Sequence, residues 1–413
     1  MNVLRCLFSK RYKYLIRLII IAPLLLVLSC QEQDQTVKIG IVHSLTGTMS
    51  NSEKPVVDSL LLAVEEVNQN GGVLGQQVEA IVVDGQSDPA VFAQAVEKLV
   101  TEQDVSAIFG CWTSSCRKAV KPIVEKYNNL LFYSVQFEGL ETSKNIIYLG
   151  SAPNQQLIPG VSWMLKTFGS PLYLVGSDYV FPRAANLIIR NMVYMKENRL
   201  VGEKYIPLGS LDMEKIISDI KKKNPSGIIN TINGDSNIAF FRALKDQNLT
   251  HIPIMSFSLS ETEINKIGGN LFDNSFITVN YLASSKHKGN SDFIKKFQQK
   301  YGASHSVGSV MAMSYIAVKL WANTVNEINS KQVDHIRKAI SNKSINGPAG
   351  VISVDPESKY IWQTIYIGKL QKSGLVEQVW SSEKPIRPKP FPMAHSQDSW
   401  LRALKKIETK LAK

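Results

Sequence analysis

The chain has 413 residues, of which 44% are hydrophobic and 20% charged, and its formal net charge is +12. This length suits two lobes better than one compact core, and the composition excludes a disordered or fibrous protein. Because the basic residues form no stripe interleaved with aromatic residues, the charge does not indicate nucleic-acid binding, and we expect no nucleic-acid partner.

The first 29 residues have the pattern of an export signal. A basic first half precedes an apolar run, Leu18 to Leu28, which ends in "VLSC". This run is short for a membrane span and typical of a signal peptide. The small residue before Cys30 resembles a bacterial lipoprotein signal, so we predict that 1–29 are removed, that Cys30 is lipidated, and that 30–36 form a tether. An ordinary signal peptide with a chance cysteine, or an uncleaved anchor, is the alternative.

Removal of 1–29 would take away five basic and no acidic residues, which lowers the net charge from +12 to +7. We therefore expect a periplasmic or cell-surface protein that is lipid-anchored to a bacterial membrane.

From residue 37 onward, apolar strand patterns alternate with helical ones. "VKIGIVHSL" is typical of a buried strand, and the helix after it ends at Gly71 and Gly72. A later helix opens with "SDPA", where Asp88 can cap and Pro89 suits the first turn. This alternation continues beyond residue 250 and predicts an α/β protein with two doubly wound parallel-sheet lobes.

No linker rich in Gly, Pro or Ser separates the two lobes, which predicts a chain that crosses between them. We assign 37–150 plus about 283–348 to the N-terminal lobe, and 151–282 plus about 349–392 to the C-terminal lobe. A hairpin is predicted near the end of the second. Residues 393–413 carry five basic and two acidic residues and predict a basic amphipathic helix. Its apolar stripe either packs on the protein itself, which we favour, or docks on a partner or on anionic lipid.

In open α/β sheets, ligands bind beyond the carboxyl ends of the strands, so the turns after the strands are the candidate site. These turns contain aromatic, hydroxyl and amide residues with few carboxylates, and they lack a glycine-rich phosphate loop. The turns are "HSLTG" (43–47), "GCWTSS" (110–115), "YSVQFEG" (133–139), "GSDYVFP" (176–182), "NGDSN" (233–237) and "SFSLSE" (256–261).

The second of these turns contains one cysteine, Cys111, and a second cysteine, Cys116, follows it directly. Cys111 and Cys116 are most simply read as small buried residues, although export to an oxidising compartment permits a local disulfide. No histidine lies near them in the sequence. A catalytic cysteine requires a base and a metal site requires more ligands, so we expect no enzyme activity, no metal and no cofactor.

The turn motifs resemble one family. "GCWTS", "LLFY" followed by "Q.EG", "GSDYVFPR", "IPLG", "NGDSN" and the late "PIRPKPFP" are similar to urea-type substrate-binding proteins of ABC transporters, and to a sister branch of short-chain amide sensors. The resemblance extends from Val37 to Pro392. It implies a type I periplasmic binding fold, with two lobes joined by three crossovers and the ligand in the cleft.

The resemblance also assigns site residues. Trp112, Tyr133 and Tyr179 correspond to aromatic walls, and Ser114 to a hydroxyl contact. Val135 departs from the sensor branch, which has Thr there, and Trp112 departs from its Tyr.

The chemistry of the turns agrees with a neutral planar ligand. The start of the helix at Ser114 offers backbone N–H groups to a carbonyl oxygen, although Ser114 alternatively only caps this helix. Acceptors for NH2 groups are supplied by Gln136, Glu138, Asp178, Asn233 and Asp235, of which Glu138 is the least expected contact. Thr113, Leu45 and Thr46 complete the predicted ligand-binding set.

These observations predict a lipoprotein that binds urea or a short-chain amide and delivers it to an ABC permease and its ATPase. A first alternative is a sensor subunit for the same ligands that signals to a separate receptor or regulator. A second is an amino-acid binder of the wider leucine-binding superfamily. This would require a charge pair, for which Asp178 is the candidate partner of the ammonium group.

Overall fold

The computed structural model describes residues 36–268, 271–272 and 274–412, with only the backbone of 261 and 262. The predicted signal peptide, the lipidated Cys30 and most of the tether lie outside the described residues. In the part of the chain that is described, no helix combines the length and apolar composition that a membrane span requires.

The first lobe is built on a five-stranded parallel sheet in the order β2-β1-β3-β4-β5. Its strands are β1 (Val37–His43), β2 (Val78–Asp84), β3 (Ile108–Gly110), β4 (Leu131–Tyr133) and β5 (Ile146–Tyr148). The helices between them are α1 (Ser50–Gln69), α2 (Pro89–Thr101) and α3 (Ser114–Lys126). The strand order reverses between β1 and β3, so the turns after these two strands open a crevice at the carboxyl edge.

The second lobe contains a seven-stranded sheet in the order β15-β14-β10-β9-β8-β6-β7. Its strands are β6 (Leu172–Ser177), β7 (Leu200–Ile206), β8 (Gly227–Thr231), β9 (Ile254–Ser256), β10 (Ser275–Val279), β14 (Tyr366–Leu370) and β15 (Val376–Ser381). Its helices are α4 (Leu157–Phe168), α5 (Val180–Met195), α6 (Glu214–Lys223), α7 (Asp235–Asp246) and α8 (Glu261–Ile267). Here the order reverses between β6 and β8, which provides the facing crevice.

Five strands of this second sheet are parallel, whereas β14 and β15 are antiparallel. The late hairpin predicted from the sequence is therefore present and extends this sheet at one edge. The α/β fold class with parallel sheets is confirmed, and the antiparallel edge is an addition to it.

After β10 the chain returns to the first lobe and forms α9 (Lys288–Tyr301), α10 (Ser309–Ile328) and α11 (Val333–Ile340). Helix α10 packs along α1 and contacts β3 and β4. The chain thus passes between the lobes after β5, after β10 and before β14, which gives the three predicted crossovers.

The sequence placed the last crossover near residue 349, but the structure places it after residue 362. A small antiparallel sheet of β11 (Ser344–Gly347), β12 (Gly350–Val354) and β13 (Ile361–Trp362) contains this segment. Because β12 pairs with β11 through a tight hairpin, it stays beside the first lobe. The bridge between Tyr148 and Tyr360 fixes this sheet there.

The last helix, α12 (Gln397–Leu411), is capped by Ser396, whose hydroxyl accepts from the backbone N–H of Ser399. Trp400 and Leu404 are buried, and the helix packs on α5 of the second lobe. Glu408 also pairs with Lys118 of α3 at 2.8 Å, so α12 contacts both lobes. The apolar stripe therefore packs within the protein, which is the alternative favoured from the sequence.

Candidate functional site

A small enclosed cavity of about 30 Å³ lies between the lobes, at the carboxyl ends of β3, β4, β9 and β10. A water molecule requires about 10–15 Å³ of such space, so this cavity suits a molecule of only a few non-hydrogen atoms. The wall consists of aromatic, aliphatic, hydroxyl and amide residues and includes no charged side chain. These residues are Trp112, Gln136, Ser151, Gln156, Ser256, Phe257, Leu259, Ser260, Ile277, Thr278, Val279, Asn280, Ser309 and Val310.

A larger and mainly apolar groove of about 890 Å³ lies on the flank, between α9 and the β14–β15 hairpin. It shares only Ile277 with the small cavity and includes Lys369 and Lys372 in its wall. We take the small cavity as the candidate site because it alone contains residues that follow both β3 and β4, at the edge where open α/β sheets bind ligands.

Two glutamine side chains meet at the cavity, and one of them joins the lobes. Gln136, which follows β4 in the first lobe, donates from Nε2 to the carbonyl oxygen of Phe257 in the second lobe at 2.9 Å. Gln156 donates from Nε2 to the same oxygen at 3.0 Å and to the carbonyl oxygen of Thr278 at 3.2 Å. The structure thus places the lobes in direct contact around the cavity.

The turn after β3 carries Trp112 into the cavity wall and is held at several points. Cys111 and Cys116 form a disulfide, with their Cα atoms 5.6 Å apart, so their assignment as unpaired packing residues was wrong. Cys111 adopts a left-handed φ of 66°, which an L-residue rarely adopts without constraint. The Tyr133 hydroxyl donates to the carbonyl oxygen of Trp112 at 2.7 Å. Tyr133 therefore helps to hold the turn that carries Trp112 in place.

Thr113 is the N-cap of α3, and its hydroxyl accepts from the backbone N–H of Cys116 at 3.1 Å. The capping role weighed for Ser114 thus belongs to Thr113. Ser114 instead donates to Glu138 Oε2 at 2.5 Å and accepts from Arg117 Nη1 at 2.9 Å. Because its one hydrogen is taken, the Ser114 hydroxyl cannot also donate to a ligand carbonyl in this arrangement.

Arg117 is fully buried and is the centre of this network. Its Nη2 donates to Glu138 at 2.9 Å, and its Nε donates to Glu141 at 3.0 Å. The guanidinium lies 3.9 Å from the centre of the Phe137 ring, a cation–π contact. Burial alone would raise the pKa of Glu141, but the charge of Arg117, with those of Lys118 and Lys121, lowers it to about 2. Glu141 is therefore ionised and paired with Arg117 at neutral pH.

Tyr179 reaches this network from the second lobe. Burial raises the pKa of its hydroxyl well above the ordinary value, and Tyr133 and Glu138 of the first lobe raise it further. Asn233 also faces this hydroxyl, and its own Nδ2 donates to the carbonyl oxygen of Thr231 at 3.2 Å. The structure thus brings the predicted Tyr133, Tyr179 and Asn233 together, beside the cavity rather than in its wall.

Asp178 and Asp235 lie outside the cavity wall. Asp178 forms a two-point ion pair with Arg183 at 2.6 and 2.9 Å on a partly exposed surface. Asp235 accepts from Asn51 Nδ2 at 2.7 Å, which is a contact between the lobes. Because neither residue is part of the cavity wall, neither carboxylate is placed to accept from a ligand there.

Leu45 and Thr46 also lie outside the wall. Asp84 accepts from the backbone N–H of Leu45 at 2.8 Å and from the Thr46 hydroxyl at 2.7 Å. These bonds fix the turn after β1 to the end of β2, so the geometry gives this turn a structural role.

Several wall residues were not predicted from the sequence. Ser256, Leu259 and Ser260 belong to "SFSLSE", a turn that was identified but whose residues were not included in the predicted site. Gln156 lies outside the six predicted turns. Arg117 follows the predicted helix start at Ser114, and the sequence did not indicate its burial.

A family model described as "Periplasmic binding protein domain" matches residues 37–397. The chain belongs to the periplasmic binding protein family. A curated relative is the Leu/Ile/Val-binding protein homolog 6 of Brucella melitensis, which is 22% identical over 354 residues, or 82% of this chain and 88% of the relative.

Solved structures of similar fold confirm the type I periplasmic binding fold. One is the branched-chain amino acid transporter substrate-binding protein of Streptococcus pneumoniae with isoleucine. Its TM-score is 0.75 at 18% identity, and the match covers 86% of this chain and all (100%) of that one. Another is a solute-binding protein of an ABC transporter from Rhodopseudomonas palustris with 3,4-dihydroxybenzoic acid. Its TM-score is 0.77 at 19% identity, and the match covers 86% of this chain and 99% of that one. The periplasmic binding protein described here thus has the fold of ABC-transporter substrate-binding proteins.

Proposed function

We propose that this substrate-binding protein of the ABC-transporter type binds urea or a short-chain amide in the cavity between its lobes. The observation that carries this proposal is the cavity wall, which encloses about 30 Å³ and includes no charged side chain. It thus supports a ligand that is both small and neutral.

The absence of charge argues against an amino acid at this site. Burying an ammonium or a carboxylate group without a partner is costly, so a zwitterion requires opposite charges in the wall. Asp178, the one carboxylate considered for that role, is paired with Arg183 instead. Isoleucine and dihydroxybenzoic acid are ligands of the similar structures, and each carries a carboxylate.

The polar groups of the wall fit an amide. Ser256 Oγ accepts from Asn230 Nδ2 at 3.1 Å, so its own hydrogen is available to a ligand carbonyl. Trp112 contributes an aromatic side chain to the wall, which suits a planar molecule. Urea and acetamide combine a carbonyl acceptor with N–H donors in a plane, which matches this combination of groups.

Delivery to an ABC permease follows from the fold, because closure of the two lobes gives a form that a membrane partner can distinguish from the open one. We place the protein outside the cytoplasm and anchored through lipid on Cys30. The sensor alternative was supported chiefly by the C-terminal helix. Since Trp400 and Leu404 are buried against the protein, that helix now gives it no specific support.

The proposal is tested by calorimetric titration of the full-length protein in mild detergent with urea, acetamide and leucine. We expect saturable binding of urea and acetamide and none of leucine. Trp112→Ala should weaken urea binding about tenfold or more, because it removes a wall of the site. Trp380→Ala, on β15 outside the cavity, is the control and should leave it unchanged. Binding of leucine without a response to urea would overturn the proposal.

A further inference from the structure

Gln156 is a buried side chain whose two ends differ in their surroundings. The residue precedes α4 and is 3% exposed. Its Nε2 group donates to the carbonyl oxygens of Phe257 and Thr278 at 3.0 and 3.2 Å. Its Oε1 atom is buried and has no hydrogen-bond partner among the described residues.

The two carbonyl oxygens fix the orientation of this amide. If Gln156 were flipped, Oε1 would face two acceptors and both bonds would be lost. The unpaired oxygen therefore cannot exchange places with the bonded nitrogen. Since Gln156 belongs to the cavity wall, a molecule in the cavity is a candidate partner for Oε1.

A second wall amide, that of Gln136, uses its nitrogen in the same way but joins the two lobes. Gln136 Nε2 donates to the Phe257 carbonyl oxygen at 2.9 Å, so that oxygen accepts from both glutamines. Gln136 Oε1, unlike Gln156 Oε1, is not a buried atom without a partner. Gln156 is thus the wall residue with a buried acceptor left unsatisfied.

We propose that Gln156 Oε1 accepts an N–H of the bound ligand and that Gln156 sets the specificity of the site for NH2 over CH3. This inference rests on the proposed function. Filling the cavity with a methyl group leaves a buried acceptor unpaired, which is unfavourable, whereas an NH2 group pairs it. The site then distinguishes ligands of nearly equal size and shape by one hydrogen bond.

The test uses three probes of similar shape, which are urea with two NH2 groups, acetamide with one, and acetone with none. Their dissociation constants are measured by calorimetry on the full-length protein and on Gln156→Met. We expect the wild type to prefer urea to acetone by about tenfold or more, which corresponds to one hydrogen bond to a buried acceptor. Gln156→Met should reduce this ratio to near one.

The ratio of urea affinity to acetone affinity distinguishes a ligand contact of Gln156 from a purely structural role of this residue. Loss of the Nε2 bonds alone would weaken binding of all three probes alike and leave the ratio unchanged. The neighbouring Gln155 is a matched control, because it is also buried and donates from Nε2 to the carbonyl oxygens of Ile361 and Ile386 at 2.9 and 2.8 Å. Gln155→Met should lower the melting temperature but keep the urea-to-acetone ratio.

If the wild type binds urea but Gln156→Met keeps the same preference for urea over acetone, this inference is overturned. The proposed function is then unaffected. If the wild type binds none of the probes, the proposed function fails and the inference falls with it. If Gln156→Met does not fold, a crystal structure of the wild type with urea decides instead. A urea nitrogen within hydrogen-bond distance of Gln156 Oε1 supports the inference, and bound urea without that contact contradicts it.

Discussion

At the scale of single residues, Glu263 shows how lobe contact changes a side chain. It is fully buried in α8 and accepts from the backbone N–H and the hydroxyl of Ser260 at 2.8 and 2.5 Å. Burial raises its pKa from 4.5 to about 7, and hydrogen bonds from Ser260 and Asn237, with the nearby hydroxyl of Ser52, offset only part of this shift. Ser52 belongs to α1 of the first lobe, so contact between the lobes contributes to this burial.

The raised pKa predicts a stability that depends on pH. A carboxyl group whose pKa is higher in the folded state stabilises the fold below pH 4.5, and this contribution is lost as the pH rises to about 7. We therefore expect Glu263→Gln to be more stable than the wild type at pH 8, by at most about 3 kcal/mol. Thermal unfolding between pH 5 and 8 measures this. Equal pH dependence in both proteins would contradict the assigned pKa.

Ser114 shows the limit of residue-level reasoning. Its position at the start of α3 is correct, yet its hydroxyl donates to Glu138, which lies elsewhere in the fold, and accepts from Arg117. Arg117 lies three residues further along the same helix, where residues share a face. That spacing was readable from the sequence, but the buried carboxylates that hold Arg117 were not.

At the scale of elements, the turn between β3 and α3 is the most constrained part of the site. The disulfide closes a short ring that contains Trp112, Thr113 and Ser114. Gly110, just before the ring, approaches β1 so closely that a Cβ atom there would lie 2.2 Å from the carbonyl oxygen of Val42. The turn is thus fixed on both sides of the residue that lines the cavity.

We expect the double substitution Cys111→Ala with Cys116→Ala to lower the free energy of unfolding by about 2 kcal/mol, because a ring of this size restricts the unfolded chain modestly. Denaturation by guanidinium chloride measures this, with a reducing agent as an independent way to open the bond. The wild type in reductant should match the variant. Ser115→Ala, within the ring but not part of the bond, is the control. An unchanged stability would show that the bond does not constrain the unfolded chain.

At the scale of the whole molecule, the lobes contact each other away from the cavity as well. Asn51 of α1 donates to Asp235 at 2.7 Å and accepts from Lys266 of α8. Gly234 approaches Thr48 and Met49 so closely that a Cβ atom there would lie 2.8 Å from the Thr48 carbonyl oxygen. These contacts describe a closed arrangement of the lobes.

Loss of the Asn51 side chain should favour the open arrangement. We expect Asn51→Ala to weaken ligand binding several-fold, since a partly exposed polar contact contributes about 0.5–1.5 kcal/mol. X-ray scattering should show a larger radius of gyration for the unliganded variant.

Asn128 is a suitable control, because it makes the same pattern of bonds within one lobe. It donates to Asp334 and accepts from Arg337, both at 3.0 Å. Since its φ of 50° is left-handed, Asn128→Gly removes the side chain without strain. Equal affinity for Asn51→Ala, Asn128→Gly and the wild type would argue against a role of Asn51 in closure.

The sequence by itself determined the fold class, the alternation of strands and helices, and three of the turns whose residues line the cavity. These depend on local patterns, namely apolar periodicity and capping residues such as Asp88, whose side chain accepts from the backbone N–H of Ala90 as predicted. It also identified Trp112 and Gln136, because both follow strands whose carboxyl ends meet at one edge.

Only the tertiary structure decided which polar groups are already paired. Asp178, Asp235 and Ser114 were predicted as ligand contacts, but their side chains bond to other residues of the protein. Gln156 was not predicted as a contact, yet its side-chain oxygen is unpaired. The Gln156 amide bonds residues 101 and 122 positions away in the chain. Such partners are set by the packing of the two sheets, and local sequence patterns contain no information on them.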